Sequence, residues 1–295
     1  MNEQTLSMGP TNSCVGIFTP AKQRRQNNAG SKVAVLLLNS GLIHHAGPGR
    51  VYTRLARALS DHGLSAVRFD LSGIGDSAAR QDNLSIYQIA TQEPIEVMDY
   101  LQKRGYHQFI LAGICSGAYC SFKTAIKDQR VIATALINYQ DDTSNNELAS
   151  QAWSKRYWTD SLFRLGAWKN LLTGKVDYQR LFSTLGLAAK KSTSERTVES
   201  MEPSHSPLQN ASFTDEMDVL LERNCNVLLL VSGLDISQQF LNVLLGEKLK
   251  TYQKNPLIDF KVVDGADHLF TNVAHQNQFM AYFCEWAAEV AETQK

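Results

Sequence analysis

Residues 109–118 read Phe109-Ile110-Leu111-Ala112-Gly113-Ile114-Cys115-Ser116-Gly117-Ala118, and their reading decides the fold. The stretch opens as an apolar run with the character of a buried strand. The residues that follow, Tyr119-Cys120-Ser121-Phe122-Lys123, continue with helical character. Between the two lies G-x-C-x-G. Glycines two before and two after Cys115 let a strand turn sharply into a helix without side-chain clashes, and such a turn lifts the central side chain above the sheet. Only one register fits, because centring the turn on Ser116 would require a small residue where Ile114 stands. The stretch therefore presents a thiol as a nucleophile.

Outward from this elbow, strands and helices alternate. Gln108 to Ala112 is the strand feeding the turn, and Ile86 to Arg104 reads as the helix before it, ending near Gly105. Ser65 to Phe69 is a further strand. Arg50 to His62 has helical spacing, with Leu55, Ala58 and Leu59 on one face and Gly63 as C-cap. Val33 to Leu38 is a continuous apolar run, as expected of a strand buried on both faces of a parallel sheet. Residues 21–32 are polar and read as a turn between early edge strands. Beyond the elbow, Val131 to Ile137, Val227 to Val231 and Ile258 to Val263 read as strands, and Gln276 to Ala291 as a closing helix. This alternation predicts an α/β fold with a mainly parallel central sheet flanked by helices.

The pattern breaks at residue 141. Residues 141–215 carry Trp153, Trp158 and Trp168 with Tyr157, Phe163 and Tyr178, interleaved with lysine and arginine, and no buried strand. Ser183 to Ser212 is rich in Ser, Thr, Lys and Glu and reads as a weakly ordered connection. The expected organisation is a core of residues 1–140 and 216–295 with a helical lid, 141–215, inserted between strands. The alternative is an amphipathic helical pair packed on the sheet.

Bulk properties set limits. Of 295 residues, 43% are hydrophobic and 20% charged, which predicts a buried core rather than global disorder. Lys plus Arg equals Asp plus Glu at 29 each, which gives no support to a nucleic-acid partner or an anionic membrane surface. No basic segment followed by an apolar one opens the chain, and no apolar run reaches the ~20 residues of a membrane helix. The five cysteines, at 14, 115, 120, 225 and 284, form no CxxC pair, which argues against zinc or a disulfide framework. A reducing cytoplasmic location follows as the simplest expectation.

A nucleophile needs a base, and the base needs an orienting acid. Asp235 lies just past the end of one apolar strand and His268 just past the last one, the edge where open α/β sheets place ligands. Cys115, Asp235 and His268 are thus the expected catalytic residues. Each has a plainer reading: Cys115 as a small buried residue, His268 as a loop histidine, Asp235 as a turn residue. Asp264 and Asp267 are rival acids, but Asp267 adjoins His268 and is poorly placed to turn back onto its ring. A free thiol titrates near ~8.5, and a histidinium neighbour and a helix N-terminus both lower it. The thiolate would attack an acyl carbonyl, and His268 would protonate the leaving group and then activate water or another acceptor. The Ser116 amide and an amide of Gly41 or Leu42, in the loop after Leu38, are the expected oxyanion donors. His44 and His45 follow in that loop, with His45 expected to contact substrate together with Trp153 and Trp158. No further ligands are spaced to make the histidine pair a metal site, and no cofactor motif is present. The loop from Asp70 to Ser77 lacks G-K-[ST] and reads as a turn bracing the elbow.

These residues together resemble the α/β-hydrolase superfamily over roughly residues 33–290, with Asp70-Leu71-Ser72-Gly73-Ile74-Gly75-Asp76-Ser77 similar to its D-x-R-G-x-G-x-S loop and Ser72 in place of the arginine. More narrowly, Asn39-Ser40-Gly41-Leu42 through Arg57, the Cys115 elbow, and Val231 through Phe240 resemble exosortase A-associated and serine-aminopeptidase-like hydrolases. That family also carries cysteine at the elbow, so the resemblance implies Cys115, Asp235 and His268 as its triad.

Three functions are compatible with this pattern. The first is a hydrolase cleaving an ester or thioester, of a small molecule or a carrier-bound acyl group, through an acyl-Cys115 intermediate. The second is an acyltransferase passing that acyl group to an alcohol, amine or carbon nucleophile. The third is a non-catalytic binding module.

Overall fold

The computed structural model describes residues 3–10, 13–22, 32–82, 84–140 and 212–293. Eight strands form one sheet: β1 (Gln4–Met8), β2 (Cys14–Thr19), β3 (Val33–Leu38), β4 (Ser65–Phe69), β5 (Gln108–Ile114), β6 (Val131–Ile137), β7 (Asn226–Ser232) and β8 (Ile258–Val263). Their order is β1-β2-β4-β3-β5-β6-β7-β8. β1 and β2 pair antiparallel at one edge, β2 joins β4 antiparallel, and every pairing from β4 to β8 is parallel.

Period-two alternation divides the core. Every residue of β3 is buried, and its side chains alternate between the two faces of the sheet. Ala34, Leu36 and Leu38 join the face covered by α2 (Ile86–Gln102), α3 (Ser116–Lys127), α4 (Phe213–Glu222) and α5 (Ser237–Leu245). Val33, Val35 and Leu37 join the opposite face, under α1 (Val51–Asp61) and the last helix, Val273–Thr293. A short helix, α6 (Leu249–Tyr252), precedes β8, which makes the last helix α7. The continuous apolar runs of β3 and β5 are the direct consequence of burial on both faces.

The helix read from Arg50 begins at Val51 after a 3₁₀ turn, β5 extends two residues past Ala112 to Ile114, and α7 starts at Val273. Helix α4 begins at Phe213, inside the stretch read as an insertion. Its entry is a capping box in which Ser212 and Asp215 satisfy each other's backbone amides. Phe213 packs at 4.8 Å from Phe122 and 5.0 Å from Tyr139, which fastens α4 to the core. The remainder of the expected lid, 141–211, lies outside the described residues. Among the described residues no helix is long and apolar enough to cross a membrane.

β4 lies on one side of β3 and β5 on the other, so the chain reverses direction across the sheet at β3. This makes the carboxyl ends of β3 and β5 the topological switch point of the sheet, where open α/β sheets place their ligands.

Candidate active site

The turn from β5 into α3 holds Cys115 at φ 59°, ψ −120°, a conformation strained for any residue with a side chain. The flanking glycines make it possible. A Cβ on Gly113 would stand 2.2 Å from the carbonyl carbon of Gly117, and one on Gly117 would stand 2.6 Å from the carbonyl oxygen of Asn39. Two hydrogen bonds pin the turn: Cys115 N–H donates to the Ile137 carbonyl (2.9 Å) and Ile114 N–H to the buried Tyr52 hydroxyl (2.9 Å).

Cys115 differs from the other cysteines. All five thiols are free, but burial pushes Cys14, Cys120 and Cys284 up to about 12 and Cys225 up to about 11, which keeps them protonated. Cys115 alone is partly exposed, directly before the first turn of α3, where the helix dipole favours an anion. Its Sγ also lies 3.8 Å from Gln140 Oε1.

The expected acid and histidine meet beside it. His268 Nδ1 lies 2.8 Å from Asp235 Oδ2. The Asp235 hydrogen bond first, and then the nearby Cys115, raise the His268 pKa to about 10 against the opposing effect of burial. Burial by itself would push the Asp235 carboxyl up. Hydrogen bonds from His268, the Ser237 side chain and the Ile236 backbone, with the charge of His268, outweigh it and hold the carboxyl below its usual range. The rival Asp267 is spent on its own turn, accepting from the Leu269 and Thr271 amides and the Thr271 hydroxyl. Asp264 is exposed.

One residue that fixes this geometry was not legible in the sequence. Asn138, fully buried one residue past β6, donates from Nδ2 to the His268 carbonyl (2.7 Å) and to Ser232 Oγ (2.8 Å). Its Oδ1 accepts from the Ser232 amide at 2.8 Å. It therefore ties the end of β6 to the end of β7 and to the loop carrying His268. Its φ of 48° is left-handed, a conformation that asparagine tolerates better than most side chains.

The loop after β3 is held just as firmly. Asn39 donates to Asp70 Oδ1 (2.8 Å) and the Ile43 carbonyl (2.9 Å), and accepts from the Leu71 amide (2.8 Å). This sets Gly41 against the elbow, where its N–H donates to Ser116 Oγ at 2.7 Å. Leu42 beside it is 81% exposed.

His45 is placed differently from the sequence expectation of a substrate contact. Its side chain is 5% exposed, and its Nδ1–H donates to Asp70 Oδ2 at 2.7 Å. The fully buried Asp70 carboxylate accepts four donors in all: Asn39 Nδ2, the His45 amide, His45 Nδ1 and the Asp76 amide. His44 is exposed and points Nε2 at Asp76 Oδ2 (3.1 Å). Sequence spacing gave the histidine pair no further ligands, yet Asp70 and Asp76 do converge on it, with ligand atoms of all four within 4.8 Å. Because the donors already saturate Asp70, the cluster reads as a hydrogen-bonded knot joining the β3 and β4 loops. Ser77 extends it, donating to the Asp70 carbonyl and accepting from the Val15 amide, so the 70–77 loop is tied to β2 and to the β3 loop. Trp153 and Trp158, expected to contact substrate, lie outside the described residues.

Comparison with known proteins gives the same architecture. The family model for the alpha/beta hydrolase fold matches residues 42–211, more than half of the 295-residue chain. The chain belongs to the α/β-hydrolase fold family. Among solved structures it is similar to a thermophilic esterase from Thermogutta terrifontis, at 16% identity and TM-score 0.55, covering 99% of this chain and 100% of that one. It is also similar to an esterase from Pyrococcus furiosus, at 12% identity and TM-score 0.56, covering 98% and 91%. A proline iminopeptidase from Mycobacterium smegmatis matches at 12% identity and TM-score 0.54, covering 100% of both chains. At such identities these likenesses establish the fold. No curated protein matches in sequence.

Proposed function

We propose that this chain is a cysteine-dependent hydrolase that cleaves an ester or thioester through an acyl-Cys115 intermediate. The observation that carries the reading is the arrangement around His268, whose Nδ1 is held by Asp235 at 2.8 Å and whose pKa Asp235 and Cys115 together raise. A histidine whose pKa lies near 10 is an imidazolium at neutral pH, the counter-ion that a thiolate needs. The Cys115 thiolate adds to the acyl carbonyl, forming the C–S bond as the carbonyl π pair moves onto oxygen. That pair returns as the bond to the leaving group breaks, and the leaving group takes the proton from His268. The imidazole, now neutral, then draws a proton from water as its oxygen attacks the thioester. Collapse of this second tetrahedral species releases the carboxylic acid, and the thiolate and imidazolium are restored.

Incubation with p-nitrophenyl butyrate, followed by rapid quench and intact-mass measurement, tests this. A butyryl adduct on the wild type that is missing from Cys115→Ala supports the reading. Turnover without any adduct, or an adduct retained in Cys115→Ala, overturns it. Running the same reaction with added alcohols or amines reads the acceptor directly, since acyl transfer would yield the corresponding ester or amide.

A further inference from the structure

The hydrogen bond between Gly41 and Ser116 alters the expected oxyanion site. An amide has one proton, and that of Gly41 is committed to Ser116 Oγ at 2.7 Å. It is therefore not free to meet a developing oxyanion while this contact stands. The Ser116 hydroxyl, by contrast, accepts that bond and donates to no acceptor among the described residues. Among the described residues its proton is therefore unspent, next to Cys115 and at a partly exposed position. The Ser116 amide is also the first of α3, and helix geometry gives it no acceptor within the helix.

Resting on the hydrolase reading above, we infer that the second oxyanion donor is the Ser116 hydroxyl, held by the Gly41 amide. Ser116 then serves the oxyanion with both its N–H and its O–H. Accepting a hydrogen bond polarises a hydroxyl and makes it a better donor, so Gly41 acts on the reaction through Ser116. The Gly41–Ser116 contact also joins the β3 loop to the elbow across the switch point, so the donor is in position before substrate arrives. Pre-placed donors of this kind need no reorganisation as charge develops. Gly41 is a positioning residue in this scheme, and the Ser116 hydroxyl touches the reacting oxygen.

The test compares acylation of wild type and Ser116→Ala by p-nitrophenyl butyrate and by its thiono analogue, in which sulfur replaces the carbonyl oxygen. Loss of one oxyanion donor typically costs about 10²-fold or more. Acylation of Ser116→Ala by the oxygen ester should fall by about that factor. The thionoester, a poor hydrogen-bond acceptor, should lose far less. Ser116→Thr should retain most of the wild-type rate, and it also serves if the alanine variant folds poorly. An unchanged or faster Ser116→Ala would mean that the hydroxyl merely caps the Gly41 amide, and an equal loss with both esters would reduce it to a structural role. Either result overturns the inference. A wild type that acquires no acyl group at Cys115 refutes the hydrolase reading and this inference together. A wild type that acylates normally beside an unaffected alanine variant refutes the inference alone.

Discussion

His268 Nδ1 and Asp235 Oδ2 stand 2.8 Å apart, although 33 residues separate them and they reach the site from the ends of different strands. The pair raises the histidine pKa to about 10 and lowers that of the aspartate. The sign of the stability effect follows from linkage. Histidine gains a proton-bound partner on folding, so its contribution is complete below its unfolded value of ~6.5 and is lost as pH rises through about 10. The aspartate contributes above its unfolded value of ~3.9 and loses that contribution as pH falls through its lowered folded value. The difference in melting temperature between wild type and His268→Ala should therefore be greatest near pH 5–6 and shrink steadily toward pH 10. A difference that grows with pH would contradict the ion pair.

The same titration bears on activity. With the thiolate–imidazolium pair as the reactive form, kcat/KM should decline on an alkaline limb near pH 10 as His268 deprotonates. Direct observation of the imidazole by NMR should find it protonated at pH 8. An alkaline limb near pH 6.5 would remove the basis for a proton-donating His268.

Replacing Cys115 by serine keeps the elbow geometry but not the chemistry. A hydroxyl is a far weaker acid than a thiol, so it forms no resting ion pair with His268 and must lose its proton in the transition state. Esterase turnover by Cys115→Ser should fall by about 10²-fold or more, measured at pH 7.5 with the fold checked by circular dichroism. Equal turnover in this variant would assign the reaction to a general-base mechanism for which sulfur is unnecessary.

The elbow glycines predict stability directly. In Gly117→Ala the new methyl would meet backbone of Asn39 at 2.6 Å, and no side chain can rotate away to relieve it. Overpacking of this kind costs about 1–3 kcal/mol, and a backbone clash belongs at the upper end. Thermal melting should register the loss. Gly63→Ala gives the contrast: nothing lies within 4 Å of a Cβ there, so only the left-handed φ of 84° is penalised.

These particulars also mark how far the sequence could be read. The convergence of Asp235 and His268 was legible because apolar runs announce strands and both residues lie in the loops just past strand ends, as Cys115 directly follows β5. The glycines at 113 and 117 then marked Cys115 as the centre of the tight turn. The Asp70 contact of His45 was not legible because Asp70 arrives from the next strand, and spacing along the chain carries no record of that approach. Asn138 was silent for a stronger reason. It contacts a carbonyl 130 residues away, and as a lone polar residue after a strand it looks like any strand end. Ser116 could be placed by its amide, but the direction of its hydroxyl depends on a loop from β3.

Asn138 yields the last prediction, and asparagine's tolerance of a left-handed φ allows a clean test. Asn138→Asp keeps a residue type that accepts φ 48°, and it keeps the oxygen that receives the Ser232 amide. It loses the amide-proton bond to the His268 carbonyl and sets a carboxylate oxygen against it, whereas the Ser232 hydroxyl can turn to donate to the new carboxylate. The lost bond is worth about 1 kcal/mol and the part-buried His268 carbonyl left facing a carboxylate costs about 1–3 kcal/mol more, so a destabilisation of about 2–3 kcal/mol is expected. The His268 loop would be freed while Cys115, Gly41 and Ser116 keep their own contacts. The acylation rate should therefore fall with little change in KM, and the His268 pKa should move down from about 10 as its hold on Asp235 loosens. A variant that melts earlier yet keeps both its acylation rate and its histidine titration would show that Asn138 supports the sheet without positioning the site.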